Sequence, residues 1–130
     1  MSTAMMYYLA WQEDDWLDEI LDRFPQVNAL VPTAKTFQQL KEQRSEMERV
    51  VIVLNAAYEQ DKGKEFLRLL ANDEQLSADP LYIVGLKPEE ADEWQTAYPH
   101  AKIIVITGFA VEFDYDSVLA QMEADLEGAH

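Results

Sequence analysis

The sequence predicts a doubly wound α/β domain, a three-layer (βα)5 sandwich with a five-stranded parallel sheet, for which the usual strand order at this count is 2-1-3-4-5. Two observations carry this. Short apolar, β-branched runs alternate with stretches whose apolar residues recur at helical spacing, five of each. In the middle, VVIVL (50–54) is continuously apolar, as a strand covered on both faces must be. A chain of 130 residues with 48% hydrophobic content suits one such domain with one core, so 1–130 reads as a single unit.

The elements follow in order. MMYYLAW (5–11) is apolar and aromatic, a first strand. DDWLDEILDRF (14–24) sets Leu17, Ile20, Leu21 and Phe24 on one helical face, with Asp14 and Asp15 in the first turn and Pro25 as the stop. VNALV (27–31) is a second strand closed by Pro32, and TAKTFQQLKEQRSEM (33–47) a weaker helix striped by Phe37, Leu40 and Met47. VVIVL is the third strand, and KGKEFLRLLAN (62–72) a helix through Phe66, Leu67 and Leu70. LYIVGL (81–86) is the fourth strand. KPEEADEWQTAY (87–98) starts a helix with Pro88 and carries Ala91, Trp94 and Tyr98 on one side. AKIIVITGF (101–109) is the fifth strand, and DYDSVLAQMEADL (114–126) closes with Tyr115, Val118, Met122 and Leu126 as its stripe. The terminal LEGAH reads as the start of a linker or a tag remnant.

Composition narrows the function. Twenty-five acids against ten bases give a formal charge of −15, a field that repels nucleic acid and anionic lipid. The acids form either a solvated surface or a face for a basic partner. Neither AMMYYLAW (4–11) nor KIIVITGFAV (102–111) is long enough to span a bilayer, and the first lacks a leader's basic flank, so a cytoplasmic protein is expected, off the membrane. There is no cysteine, and the four glycines form no phosphate-binding loop. His100 and His130 have no ligand partners nearby in sequence, and no serine sits in a nucleophile elbow. No catalytic residue, metal or cofactor is expected. The acids Glu13, Asp14 and Asp15 after the first strand suit a Mg²⁺ ion or, as we favour, compensation of the helix dipole.

With the strands placed, the chain resembles the receiver domain of two-component response regulators, a flavodoxin-like fold, over nearly its whole length. VVIVLNAAYEQDKGKEFLRLL (50–70) matches the family's third strand, loop and third helix, with Gly63 in the place of the loop glycine. PLYIVGL, AKIIVITGF with Phe109, and WQEDDWLDEIL match the fourth strand, the fifth strand and the first strand's acidic end. A receiver needs an aspartate nucleophile, two acids for Mg²⁺, a hydroxyl ending the fourth strand, and a lysine followed by a cis proline ending the fifth. At those positions this chain has Asn55, then Gln12 with Glu13, then Gly85, then Thr107 with Gly108. The aromatic switch position of the fifth strand is Ile104.

The resemblance therefore implies a pseudo-receiver: no enzyme, but a phosphorylation-independent interaction or dimerisation module in bacterial signal transduction. Its partner, a protein or a second copy, is expected on the face of the fourth helix, fifth strand and fifth helix, through Trp94, Tyr98, Ile104 and Phe109. For Trp94 and Tyr98 the same spacing equally suits core packing. The alternative is a small-molecule sensor using space vacated around Asn55, Gly85 and Thr107. A flavodoxin-like enzyme lacks a base, a nucleophile and a cofactor loop.

Overall fold

The computed structural model describes residues 4–12, 15–24, 27–105 and 115–127. Five strands, β1 (Ala4–Leu9), β2 (Val27–Leu30), β3 (Arg49–Asn55), β4 (Leu81–Leu86) and β5 (Lys102–Val105), form one sheet in the order β2-β1-β3-β4-β5. Every pairing is parallel, as the expected topology requires. Between and after them run α1 (Asp15–Arg23), α2 (Ala34–Arg44), α3 (Gln60–Ala71), α4 (Pro88–Ala97) and α5 (Tyr115–Glu127).

Strand periodicity sorts the core into two layers. Val50, Ile52 and Leu54 of β3, with Tyr7 and Leu9 of β1 and Ile83 of β4, face Leu40, Phe66, Leu70 and Trp94 on α2, α3 and α4. Val51 and Val53, with Met6, Tyr8, Tyr82 and Val84, face Trp16, Ile20, Leu119 and Met122 on α1 and α5. β3 is buried from Val50 to Asn55, which explains its unbroken apolar run.

Tyrosine hydroxyls inside the layers find partners. Tyr7 Oη donates to Gln43 Oε1 at 2.8 Å. Tyr82 Oη donates to Asp125 Oδ2 at 2.5 Å, and Lys102 Nζ lies 3.6 Å from the same carboxylate, tying β4, β5 and α5 together. Arg44 at the end of α2 donates twice to Asp79, both at 2.8 Å, and once to the Met47 carbonyl at 2.6 Å. That buried fork fixes the connection into β4 against α2.

Several details differ from the sequence reading. β1 ends at Leu9, leaving Trp11 and Gln12 in a bend above the sheet. In α1 the buried stripe runs through Trp16, Ile20 and Phe24, whereas Leu21 is 48% exposed. The helix face toward the sheet passes through positions four apart beginning at Trp16, and this turns Leu21 outward. Met47 lies past the end of α2, still half-buried. α3 begins at Gln60, two residues before the expected 62–72, and contains Gly63 as that range has it. A short 3₁₀ turn (Leu76–Ala78) precedes β4, held by Asp73 Oδ1 accepting from the Gln75 and Leu76 amides. β5 is described only as Lys102–Val105, and the remainder of the expected fifth strand lies outside the described residues.

Candidate functional site

In an open parallel sheet the loops at the carboxyl ends of the strands form the natural site. Asn55, the last residue of β3, is there and only 5% exposed. Its Oδ1 accepts from the Ala57 amide at 2.9 Å, a local turn that fixes which way the side chain points. Its Nδ2 then faces β1 and donates to Tyr8 Oη at 3.0 Å. Tyr8 is itself 1% exposed.

From the other side comes Gly85. The β4–β5 register slips between Ile83 and Leu86, so β4 carries an extra residue there, a bulge. Gly85 has φ +84°, the left-handed region that a side chain adopts only with strain. A β-carbon at Gly85 would overlap Asn55 Oδ1 and crowd Asn55 Cγ and the Ala57 nitrogen. The missing side chain at position 85 therefore opens no space: the Asn55 amide fills it. The β3 amide ladder continues past the site, with the Ala56 amide donating to the Val84 carbonyl at 2.8 Å.

Across β1, the pairing of Leu9 with Leu54 brings Ala10, one step further, level with Asn55. Ala10 offers no side-chain ligand for a metal. Gln12 lies in the bend beyond and lines a cleft of about 250 Å³ together with Tyr8, Trp11, Leu17, Ala29 and Val31, toward β2. Glu13, Thr107, Gly108 and Phe109 lie outside the described residues, as does Asp14. Among the described residues no group of three or more His, Asp or Glu side chains could hold a metal ion. Nor is any helix among them long and apolar enough to cross a membrane.

No family model, curated protein or solved structure matches the chain.

The expected interface residues divide differently. Trp94 is 2% exposed and packs in the core layer under α4, so it is withdrawn as a surface anchor. Its spacing on α4 is that of the helix's buried stripe, and the Lys64 ammonium covers the ring at 5.3 Å. Tyr98 is half-buried, its ring 5.7 Å from that of Trp94, and Ile104 is half-buried against the α1/α5 layer. Exposed side chains on these elements include Asp92, Gln95 and Thr96 on α4, Lys102 on β5 and Gln121 on α5, whereas Glu93 pairs with Lys64 of α3 and Asp116 with Arg23 of α1, both at 3.9 Å.

A second cleft, of about 320 Å³, opens at the same edge of the sheet between the β2–α2 connection and α3. Trp11, Pro32, Thr33, Phe66 and Leu69 line it, with Lys62 at its mouth. The Lys62 ammonium sits 4.4 Å above the Trp11 ring, a cation–π contact. The sequence does not disclose this cleft, because MMYYLAW reads as one strand through Trp11, whereas β1 ends at Leu9. The signal was an aromatic ring just where the strand ends.

Proposed function

We propose that the chain is a receiver-like signalling domain that acts without phosphorylation, as a protein-interaction module of a two-component pathway. The observation that carries this reading is the Asn55 amide, buried between Tyr8 and Gly85 at the place where a receiver presents its acceptor carboxylate. An amide is no nucleophile toward a phosphoryl group. Its burial also leaves no room for one beside Gly85.

The chain has no catalytic role in this reading, and it needs no cofactor. Its partner surface is the face of α4, β5 and α5. With Trp94 in the core, what that face offers is polar, with Asp92 as an exposed acid, on a chain of formal charge −15. A partner with basic groups fits it. A second copy fits less well, because two such faces on chains of charge −15 repel each other. The expected behaviour is a monomer at low salt and a complex with a basic protein partner that weakens as salt rises.

The test is incubation with Mg²⁺ and a small phosphodonor followed by intact-mass analysis. Unmodified protein is expected; a covalent, acid-labile adduct sinks the reading. The sensor alternative loses its proposed opening at Gly85, since Asn55 occupies it.

A further inference from the structure

The cleft beside Trp11 combines three features. Its walls are largely apolar, formed by Trp11, Pro32, Phe66 and Leu69, and its volume of about 320 Å³ suits the body of a small organic molecule. Trp11 Nε1 is buried, and it is the one buried side-chain polar atom without a hydrogen-bond partner among the described residues. Burying an indole N–H unpaired costs about 1–3 kcal/mol, a penalty that an incoming acceptor atom relieves.

The third feature is charge. Lys62 is the cation at the mouth, and its carboxylate contact, Glu59 Oε2 at 3.8 Å, is long and exposed on both sides. Such a contact holds an ammonium only weakly. Glu65, the acid lining the cleft, pairs with Arg68 in a contact that is likewise exposed on both sides. Lys62 and the Trp11 indole are donors that the cleft offers, in a chain that is otherwise strongly acidic.

We propose that this cleft is a binding site for a small organic carboxylate, its apolar body against Phe66, Leu69 and Pro32 and its carboxylate on Lys62 and the Trp11 indole N–H. The long-range field of the chain disfavours anions. Affinity must come from these local donors, so removing the Lys62 charge has a large effect. The site lies apart from Asn55 and does not depend on how the chain signals; losing it leaves the phosphorylation-independent reading intact.

Two probes with one apolar body separate the contributions: 2-naphthoate, and 2-naphthylmethanol, which lacks the charge. In ¹⁵N-labelled protein, 2-naphthoate is expected to shift the indole N–H resonance of Trp11, assigned by its loss in Trp11→Phe. Lys62→Met is expected to weaken 2-naphthoate binding about tenfold, the worth of one charge-assisted contact, and to leave 2-naphthylmethanol unchanged. Leu69→Trp, which fills the cleft from α3, is expected to abolish binding of both. An unmoved Trp11 indole resonance overturns the proposal. So does a 2-naphthoate affinity that Lys62→Met leaves intact, or a response confined to Tyr8, Leu17 and Ala29 of the other cleft.

Discussion

The amide oxygen of Asn55 stands where a β-carbon on Gly85 would be. Two residues thirty positions apart thus depend on each other: the bulge in β4 and its left-handed glycine exist in a form that admits the Asn55 side chain. Coupling of this kind is measurable. Gly85→Ala should destabilise by about 2–4 kcal/mol, through overlap and an unfavourable φ together. Asn55→Ala should cost about 1–3 kcal/mol by leaving the Ala57 amide unpaired. In the double variant the overlap is gone, so its loss in urea unfolding should be smaller than the sum of the two. Additive losses would mean that the two residues do not share the space.

Asn55→Asp should not make the chain a phosphoryl acceptor. The new carboxylate would remain buried against Tyr8, with no hydroxyl at Gly85 and with threonine at position 107 where receiver domains have lysine. Labelling with a small phosphodonor and Mg²⁺ checks this, and recovered labelling in the single variant would contradict it.

Gly63 is helical, as the expected helix 62–72 has it. It lies inside α3, and a β-carbon there would meet Leu54 Cδ2 at 3.7 Å, an ordinary contact. Gly63→Ala should therefore stabilise the fold by about 0.5–1 kcal/mol, by removing a flexible residue from a helix. A raised urea midpoint with unchanged slope is the expected result; a lowered midpoint would show that the glycine is needed for packing.

Tyr82 makes stability depend on alkaline pH. Burial, and beside it the Asp125 carboxylate that its hydroxyl bonds, push the phenol well above its ordinary value. A phenol whose pKa is higher folded than unfolded contributes stability that is whole below about pH 10 and drains as the pH climbs toward the raised value. Burial raises Tyr7 and Tyr98 in the same direction. Tyr82→Phe should thus make the decline in unfolding midpoint between about pH 9 and 11 shallower without abolishing it. An unchanged slope would place the effect elsewhere.

Much of the fold was legible because hydrophobic period is local. VVIVL had to be a central strand, and Phe66, Leu67 and Leu70 had to face inward. What was not legible depends on contacts distant in sequence. Nothing in the order of residues says that Tyr8 and Asn55, 47 positions apart, share a hydrogen bond. Nor does LYIVGL announce a bulge at its glycine; Gly85 looked like a lost hydroxyl before the structure gave it a filled neighbour. Leu21 and Trp94 show the limit of helical spacing. A stripe gives the angular period, but which residue starts it depends on how the helix docks, so Leu21 faces out and Trp94 faces in. The end of β1 set Trp11 free of the strand, and with it the cleft that the sequence did not disclose.

In the function proposed here, the end of β3 accepts neither a phosphoryl group nor Mg²⁺. The most direct measurement is the backbone amide spectrum of Ala56, Ala57 and Gly85 on adding Mg²⁺ and beryllofluoride, a mimic of the bound phosphoryl group. Unmoved resonances at all three are predicted, with Asn55 still bonded to Tyr8. Saturable shifts at Ala56 and Gly85 would show a working phosphoryl pocket and contradict the account.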